Sequence, residues 1–277
     1  MYSNPNWKVT LITPTFNRAA QLEQALASVL HQSVLPHEHI ICDNCSSDAT
    51  SAVVQNYTAN APFPVVYRRE QDRGIYQAMN RALQAATGNT IFILNDDDQF
   101  HNPDVLRVFG NCLAASQADL IYGDTVWRDP ATESRKYRHH KNINKLTLVH
   151  KAISQQAIFY NARVFEKCGL FDETFKIAGD YEWLLRAFLG KKIAAVYLNR
   201  PVTVCSLGGL SNSTVEEERR RAERREATMR WYTEREVELS GLYRHRIRKF
   251  PLGTTLFNLF CPLKLNIKRA RYDKRRG

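Results

Sequence analysis

The stretch Phe92-Ile93-Leu94-Asn95-Asp96-Asp97-Asp98 joins an apolar run to three consecutive carboxylates. Adjacent carboxylates repel one another, so placing them together at the end of a strand costs free energy unless a cation or hydrogen-bond donors offset the repulsion. Magnesium is commonly held by one or two carboxylates, with water and substrate phosphates completing its shell. The stretch therefore predicts a strand that ends at a site for a divalent cation and a nucleotide diphosphate. The alternative is a solvated acidic turn before a helix that begins near Pro103.

Strands and helices alternate in the sequence around this stretch. The predicted strands cover residues 9–12, 39–42, 64–67 and 90–94, and the predicted helices cover 20–32, 48–57 and 76–86. This alternation indicates an α/β fold with a mostly parallel, Rossmann-like sheet and helices on both faces. Ligands of such sheets bind at the carboxyl ends of the strands. Asp43 and the triplet 96–98 both follow predicted strands, so we expect one cleft to contain them.

The second half of the sequence is less regular. The predicted elements are a helix at 103–116, a strand at 120–122, a hairpin at 125–137, a mobile basic loop at 139–151, a strand at 154–160, a helix at 180–189, and two short strands within 193–204 that Pro201 separates. A single long, charged helix is expected from Val215 to about Lys249.

Charge divides the chain into two predicted units. The whole chain of 277 residues is 44% hydrophobic and 24% charged, as in an ordinary soluble globular protein. Residues 215–277 contain 18 Lys and Arg against nine Asp and Glu, whereas residues 1–214 contain 21 against 19. We therefore expect one domain at 1–214, which carries the carboxylates, and a charged helix with a basic tail at 215–277.

Several classes of protein do not fit the sequence. The first seven residues are polar and the first apolar run is short, so a secretory signal is not expected. No uninterrupted apolar run reaches the roughly 18 residues of a membrane-spanning helix. The six cysteines are therefore expected to be free thiols in the cytoplasm. Cys42 and Cys45 form a single C-x-x-C pair, which is a weak signal for zinc or redox chemistry.

Five motifs occur in a defined order along residues 8–211. They are Val9-Thr10-Leu11-Ile12-Thr13-Pro14-Thr15-Phe16-Asn17-Arg18, Asp43 with Ser46-Ser47-Asp48, Asp72-Arg73-Gly74-Ile75-Tyr76-Gln77-Ala78-Met79-Asn80, Leu94-Asn95-Asp96-Asp97-Asp98 and Gly179-Asp180-Tyr181-Glu182. This order and spacing resemble glycosyltransferase family 2 with the GT-A fold, particularly small bacterial enzymes of polysaccharide assembly. The resemblance implies a sugar transferase that uses a nucleotide-diphosphate sugar as donor and Mn²⁺ or Mg²⁺ as cofactor. It also implies a glycan or lipid-linked acceptor.

The resemblance assigns roles to individual residues of the donor site. Thr13, Pro14 and Asn17 would shape the nucleotide pocket, Asp43 would accept a hydrogen bond from the base, and Asp72, Arg73, Gly74 and Asn80 would line the ribose and phosphate region. Asp97 would approach the ribose or the sugar. Asp98 would ligate the metal, and Asp96 adds a further carboxylate where many relatives have a small residue.

Asp180 is the candidate catalytic base. A hydroxyl acceptor is a poor nucleophile, and a nearby carboxylate can take its proton as the new C–O bond forms. Direct displacement would invert the anomeric centre, as this family generally does. Asp180 can instead act as the N-cap of the helix that follows, and the two roles are compatible. Glu182 is the second choice for the base, because on a helix it points elsewhere.

Three further features have two interpretations each. Gln155 and Gln156 stand where relatives often have a His-Gln pair near the acceptor, and the missing histidine leaves their role open. The segment Gly208-Gly209-Leu210-Ser211 is either a loop that closes over the donor or an ordinary turn. Trp183 and Tyr181 can stack on a sugar, although aromatic residues on such a helix more often belong to the core.

The C-terminal tail suits an anionic membrane surface. Residues 250–265 are rich in Leu and Phe, and residues 268–276 carry six cations and one carboxylate. Apolar anchors followed by basic residues favour such a surface, at about 1 kcal/mol for each basic residue. We therefore expect a peripheral enzyme at the cytoplasmic face of the membrane. The alternative for the tail is a solvated basic end. Nucleic acid is not expected as a partner, because no binding motif accompanies the charge.

Two other functions compete with the transferase. A nucleotidyltransferase of related fold would need a glycine-rich, arginine-containing loop after the first strand, and the loop here lacks glycine. A non-catalytic protein that binds membrane or RNA on a transferase scaffold is the other alternative. The presence of Asp43, Asp97, Asp98 and Asp180 together argues against it.

Overall fold

The computed structural model describes residues 7–129, 131–206, 214–245 and 265–270. The strands are β1 (Val9–Thr15), β2 (Glu38–Asp43), β3 (Val65–Arg69), β4 (Thr90–Ile93), β5 (Asp98–Phe100), β6 (Leu120–Arg128), β7 (Arg135–Arg138), β8 (Ile158–Asn161), β9 (Ala195–Ser206) and β10 (Ile267–Ala270). The helices are α1 (Ala19–Leu30), α2 (Thr50–Asn60), α3 (Ile75–Ala85), α4 (Val105–Ala115), α5 (Lys145–Leu148), α6 (Arg163–Cys168), α7 (Gly179–Leu185), α8 (Thr214–Met229) and α9 (Glu234–His245). None of these helices is both long and apolar enough to cross a membrane.

One mixed sheet organises the molecule, with the strand order β10-β9-β6-β8-β4-β1-β2-β3. The strands β1, β2, β3 and β4 run parallel. In the chain, a helix that crosses over the sheet connects each of them to the next. The strand β8 is antiparallel to both of its neighbours, β4 and β6. The predicted α/β architecture, with a parallel first half and helices on the sheet, is present.

The core lies on both faces of this sheet. In β1, Val9, Leu11 and Ile12 are fully buried, and alternate residues join different clusters. Val9 and Leu11 pack with α1 and α4, whereas Ile12 packs with residues of α3 and α7. Burial on both faces explains why all seven residues of this strand, including its threonines, are buried.

The prediction that Pro201 separates two short strands is wrong. Residues 195–206 form the single strand β9, and Pro201 lies opposite Asp124, where the register between β6 and β9 shifts. Proline has no N–H to donate to the sheet, so it is tolerated where the ladder is already irregular.

The single long helix predicted after residue 215 is also wrong, because α8 and α9 are separate. Thr233 starts α9 through a reciprocal pair of bonds, in which its N–H donates to the Glu236 carboxylate and its hydroxyl accepts from the Glu236 N–H. The loop predicted at 139–151 contains the short helix α5, which Asn144 and Thr147 cap in the same way. The strand predicted at 154–160 begins only at Ile158, after a turn of 3₁₀ helix.

Candidate active site

The carboxyl ends of β4, β1 and β2 lie side by side, so the loops that follow these strands leave from one edge of the sheet. Thr15 at the end of β1 donates from its hydroxyl to Asp96 Oδ2 at 2.9 Å. This bond joins the end of β1 to the acidic triplet that follows β4.

Asn17 ties the loops after β1 and β2 together. Its N–H donates to Ser46 Oγ at 2.8 Å, and its side-chain oxygen accepts from the Ser47 N–H at 2.7 Å. Its φ of 52° lies in the left-handed region, which asparagine tolerates better than most residues. Asn17 therefore holds the loops after β1 and β2 in place.

Asp43 is buried at the end of β2, with two neighbours bonded to its carboxylate. Ser46 donates from both its N–H and its hydroxyl to Oδ1, and the Tyr67 hydroxyl donates to Oδ2 at 2.6 Å. The side chain has no exposed surface. Arg69 Nε also lies 3.6 Å from Oδ2, so a nucleotide base could bond to this buried carboxylate only if a neighbour such as Tyr67 moved.

Thr13 and Pro14 form the buried floor of this edge. The Thr13 hydroxyl lies 2.9 Å from His39 Nε2, and His39 Nδ1 lies 2.9 Å from the Tyr57 hydroxyl. Burial lowers the pKa of His39 to about 3, so this histidine is neutral in the folded protein. The side chain of Thr13 is thus occupied inside the domain.

Arg18 neutralises part of the acidic triplet. Its guanidinium donates to Asp97 Oδ2 at 2.8 Å and lies 3.5 Å from Asp96 Oδ1. Burial raises the pKa of Asp96 to about 6, against the effect of the Thr15 hydrogen bond. The sequence assigned Arg18 no role, although a cation in the first loop after β1 is a signal for such pairing.

Asp98 begins β5 and is only 2% exposed. Its Oδ2 accepts from the Asn95 side chain at 3.0 Å, and it lies opposite Cys205 of β9, with which it shares a hydrogen bond. Burial raises the pKa of Asp98 well above that of an exposed aspartate, and the nearby charge of Asp97 acts in the same direction. A bound cation would reverse this effect, because it favours the ionised carboxylate.

The carboxylates suit a divalent cation that takes most of its ligands from elsewhere. No group of three or more His, Cys, Asp or Glu side chains among the described residues is arranged to hold a metal. Mg²⁺ and similar ions need only one or two carboxylates when phosphates and water supply the other ligands. Asp98 is compatible with this arrangement. Asp96 would have to exchange its bond to Thr15 or Arg18 in order to join it.

Arg73, Gly74 and Lys176 line a cavity of about 370 Å³ at the start of α3. Asp72 accepts from the Gly74 N–H at 2.9 Å, and Lys176 donates to the Arg73 carbonyl at 2.8 Å. Gly74 has a φ of 148°, a conformation that side chains with a Cβ rarely adopt. The other residues lining the cavity are Tyr76, Gln77, Asp172, Glu173, Thr174 and Phe175.

Asn80 has a structural position within α3. Its amide donates to the Phe171 carbonyl at 2.9 Å and to Glu173 at 3.0 Å, and its oxygen accepts from the Phe171 N–H at 3.0 Å. The side chain is 5% exposed. Asn80 thus holds the segment 171–173, which borders the cavity.

Asp180 is the second residue of α7 and reaches the donor motif through Tyr76. The Tyr76 hydroxyl lies 3.3 Å from Asp180 Oδ1, and it donates to the Ile177 carbonyl at 2.8 Å. Burial raises the pKa of Asp180, while the Tyr181 N–H and the Arg224 charge act in the opposite direction. A raised pKa makes a carboxylate a better acceptor of a proton. Glu182 is instead paired with Arg186 at 2.9 Å.

Helix α8 holds the segment that precedes Asp180 in place. The Glu223 carboxylate accepts from the backbone N–H groups of Lys176, Ile177 and Ala178 at 3.0, 2.8 and 2.9 Å. Arg224 lies over the Tyr181 ring, with 3.8 Å from the guanidinium carbon to the ring centroid. The sequence indicated only a charged helix here, because the partners are more than 40 residues away along the chain.

The remaining candidates have mixed outcomes. Trp183 and Tyr181 are at most 1% exposed, so they belong to the core rather than to a sugar-stacking surface. Gln155 is buried near Met79. The side chain of Gln156 lies within hydrogen-bonding reach of Cys205, beside Asp98. The segment Gly208-Gly209-Leu210-Ser211 lies outside the described residues, as does the tail apart from residues 265–270.

The sequence matches a model of a known protein family. The family model described as Glycosyl transferase family 2 matches residues 10–175. The match covers the donor motifs and the acidic triplet and ends before Asp180.

Curated relatives cover more of the chain. A PGL/p-HBAD biosynthesis glycosyltransferase of Mycobacterium bovis is 30% identical over 213 residues, which are 76% of this chain and 81% of the relative. The putative teichuronic acid biosynthesis glycosyltransferase TuaG of Bacillus subtilis is 32% identical over 137 residues, which are 48% of this chain and 54% of that protein.

Solved structures share the fold at low identity. TarS residues 1–349 of S. aureus, in complex with UDP-GlcNAc, has a TM-score of 0.65 at 18% identity, covering 91% of this chain and 75% of that one. The mannosyltransferase PcManGT of Pyrobaculum calidifontis, in complex with GDP-Man and Mn²⁺, has a TM-score of 0.61 at 19% identity, covering 92% and 74%. The chain spans 43% of the longer TarS structure.

Proposed function

The chain belongs to glycosyl transferase family 2, and on this premise we propose that it transfers a sugar, with inversion, from a nucleotide-diphosphate donor to a hydroxyl of a glycan or lipid-linked acceptor. The pathway is the assembly of cell-surface polysaccharide. Support comes from the donor complexes of TarS and PcManGT and from the biosynthetic roles in the names of the two relatives.

The contact between Asp180 and Tyr76 carries the proposal. In the proposal Tyr76 belongs to the donor motif on α3, and its hydroxyl lies 3.3 Å from Asp180 Oδ1, which supports a base beside the donor. In the proposed reaction Asp180 accepts the proton of the acceptor hydroxyl while that oxygen attacks the anomeric carbon. The bond to the nucleotide diphosphate breaks on the opposite side, which inverts the centre.

The loops at the edge of the sheet would hold the donor. In the proposal Thr13, Pro14 and Asn17 shape the pocket, and Asp43 receives the base after Tyr67 moves. The segment with Asp72, Arg73 and Gly74 lies against the ribose and phosphates. Asn80 acts through Phe171 and Glu173, which it holds in place. Asp97 would bind the ribose or the sugar.

Asp98 would hold Mn²⁺ or Mg²⁺, with Asp96 as a second ligand. A bound ion of this kind stabilises the negative charge that develops on a departing diphosphate. In this chain, Asn95 orients Asp98, and Arg18 keeps Asp96 and Asp97 partly neutralised.

Replacing the base tests the proposed mechanism. Asp180→Asn keeps the size of the side chain but removes the proton acceptor, so we expect turnover to fall by about a hundredfold or more. Nucleotide affinity should stay unchanged, because Asp180 acts on the acceptor. Normal turnover by this variant would exclude Asp180 as the base, whereas a loss of nucleotide binding would show that it belongs to the donor site.

We also propose that the enzyme acts at the cytoplasmic face of an anionic membrane through its basic tail. Lys268 and Arg269 lie exposed on β10, which pairs with β9 at the edge of the sheet. The test replaces Arg271, Lys274, Arg275 and Arg276 with alanine and leaves β10 unchanged. Binding to vesicles with phosphatidylserine should weaken by about 1 kcal/mol for each cation. Equal binding by the wild type and the variant would reject the role of the tail.

A further inference from the structure

The hairpin of β6 and β7 and the segment after it carry an excess of positive charge. Residues 124–151 contain seven Lys and Arg against three Asp and Glu. All four residues of β7 are exposed, and among the described strands β7 pairs with β6 alone. This edge of the sheet is therefore accessible along the whole of β7, and the proposed mechanism gives it no part.

The three carboxylates of this segment already have partners. Asp124 is buried, and its Oδ1 accepts from the Tyr197 hydroxyl at 2.8 Å. Asp129 accepts from an N–H and a hydroxyl of the turn that follows it. Glu133 lies 3.7 Å from Arg128 of β6. None of these three acids pairs with a cation of β7.

Three exposed cations lie on β7 and just after it without a carboxylate within the 4.0 Å of a salt bridge, as far as the described ranges extend: Arg135, Lys136 and Lys141. The acidic triplet is too distant to neutralise them. Strands β6 and β9 stand between Lys136 and Asp98, so three strand spacings, about 14 Å, separate the two backbones. That separation exceeds the Debye length of about 8 Å at physiological salt.

Exposed aromatic rings stand next to these cations. Tyr137 is 53% exposed, and its ring is nearly parallel to that of His139, with 6.2 Å between the centroids and 19° between the planes. His101, just after β5, approaches the same tyrosine at 6.5 Å. His139 Nδ1 lies 2.8 Å from Asp124 Oδ2, so a buried carboxylate orients this ring. The rings are therefore held in place before any ligand binds.

Fixed rings beside unpaired cations suit a chain of acidic sugars. The C–H face of a sugar can pack on an aromatic ring, and cations bind carboxylates or phosphates strongly. Tyr137 and Arg135 project from the same side of β7, and Lys136 projects from the other side. A membrane surface fits less well, because it requires several apolar anchors. Among the described residues of the hairpin, Tyr137 is the one large hydrophobic side chain that is exposed.

We propose that β7 together with His139, here called the β7 strip, binds an acidic polysaccharide that serves as the acceptor. Tyr137 packs on a sugar ring, while Arg135 and Lys136 pair with acid groups of the chain. Because about 14 Å separates Lys136 from Asp98, the strip holds sugars distant from the reacting end. The inference rests on the proposed function, since it names the class of acceptor.

Calorimetric titration with two matched probes, in the absence of donor, tests the β7 strip. Oligogalacturonate carries a carboxylate on each sugar, and its methyl ester has the same rings without the charge. Tyr137→Ala should bind both probes about fivefold more weakly than the wild type, since stacking does not require charge. Arg135→Ala combined with Lys136→Ala should bind the acid about tenfold more weakly and the ester normally. Added salt should reduce the difference between acid and ester.

Two control variants separate these effects from misfolding. Tyr137→Phe keeps the ring and should bind both probes normally. Lys8→Ala removes an exposed cation that precedes β1, outside the hairpin, and should also bind them normally. Thermal unfolding of every variant verifies that the domain is folded. A loss of affinity in the controls equal to that in the strip variants would contradict the proposal.

The proposal is wrong if the wild type binds neither probe. Inorganic polyphosphate supplies charge without sugar rings. If it binds as tightly as oligogalacturonate and Tyr137→Ala changes no affinity, β7 is a charged surface without preference for sugars. If oligogalacturonate does not bind, and Arg135→Ala with Lys136→Ala weakens binding to phosphatidylserine vesicles, the strip belongs to a membrane surface instead.

The outcome for the β7 strip is separate from the outcome for the proposed transfer. If oligogalacturonate binds through the strip while no nucleoside diphosphate binds the protein, the strip is supported and the proposed donor is wrong. If a nucleoside diphosphate binds and oligogalacturonate does not, the proposed transfer is supported and the strip is wrong.

Discussion

The donor half and the acceptor half of the molecule are built differently. In the donor half, which is taken to end with β5 at Phe100, most candidate residues stand at the carboxyl ends of strands or in the loops that follow them, as Asp43 and Asn17 do. In the acceptor half, Asp180 contacts Tyr76 more than 100 residues earlier, and Glu223 holds the segment before it from 45 residues later. The order of strands and helices positions most of the first group, although Asn80 is tied to Phe171, whereas long-range contacts position Asp180.

This difference predicts how each half responds to substitution. A change in a donor loop should alter binding of nucleotide and metal and leave the candidate base, Asp180, in position. A change in α8 should disturb the base while the donor still binds. The effects of substitutions can therefore be separated by measuring nucleotide binding and turnover on the same variant.

Asp98→Ala should have the largest effect. A nucleoside diphosphate at about 100 times its dissociation constant stabilises the folded protein by about 2.7 kcal/mol. We expect the part of this stabilisation that depends on Mn²⁺ to disappear in the variant, together with turnover, because Asp98 would hold the ion. Thermal unfolding with and without Mn²⁺ measures it, with the exposed Glu23→Ala as control. A metal-dependent shift that survives in Asp98→Ala would assign the ion to another residue.

Glu223→Gln should have the second largest effect, confined to the acceptor half. Neutralising this carboxylate weakens three charge-assisted bonds to the backbone before Asp180, so we expect turnover to fall by about tenfold to a hundredfold. Nucleotide affinity should stay at the wild-type value. Glu218→Gln is the matched control, because Glu218 is an exposed carboxylate on the same helix. Equal loss of nucleotide affinity and turnover would contradict the separation of the two halves.

The two buried histidines, one in each half, should have the smallest effect on turnover, because they act on the pH dependence of stability. Burial lowers the pKa of His39 and of His140 to about 3, whereas an unfolded chain has a histidine pKa of about 6.5. Between these values the unfolded chain binds a proton that the folded chain does not. Each histidine therefore lowers the free energy of unfolding as the pH falls from about 6.5 towards 3, by up to about 1.4 kcal/mol per pH unit.

Urea unfolding of the wild type, His39→Gln and His140→Gln at several pH values between 4 and 6.5 measures this contribution. Each variant should lose about the same part of the pH dependence if the halves unfold together. A loss in His39→Gln alone would show that the half containing His140 opens before global unfolding.

Sequence patterns predicted the donor half well. The strands β1, β2, β3 and β4 and the helices α1 and α3 lie within a few residues of their predicted positions, because each carries a continuous apolar run or a helical stripe. The match to the family model confirms the predicted family. Sequence was sufficient for this prediction because the family's motifs are short segments around single loops. The individual roles of the site residues remain predictions.

The acceptor half was predicted less well, and its errors have common physical causes. Pro201 was expected to end a strand, but the irregular ladder opposite Asp124 accepts it. The break between α8 and α9 follows from a cap at Thr233, which the charge pattern does not reveal. From the sequence, Glu223 and Arg224 resemble surface charges. Nothing near them in the chain indicates that Glu223 binds the backbone of residues 176–178 or that Arg224 lies over the Tyr181 ring.

By itself, the sequence determined the family, the fold class and the order of the donor motifs. Apolar periodicity and loop chemistry are local properties, and they remain visible without coordinates. Only the tertiary structure decided which charges are paired, which hydroxyl lies beside Asp180 and which helix holds its approach. Those relations depend on distances between segments that are far apart in the chain, and no local pattern records such distances.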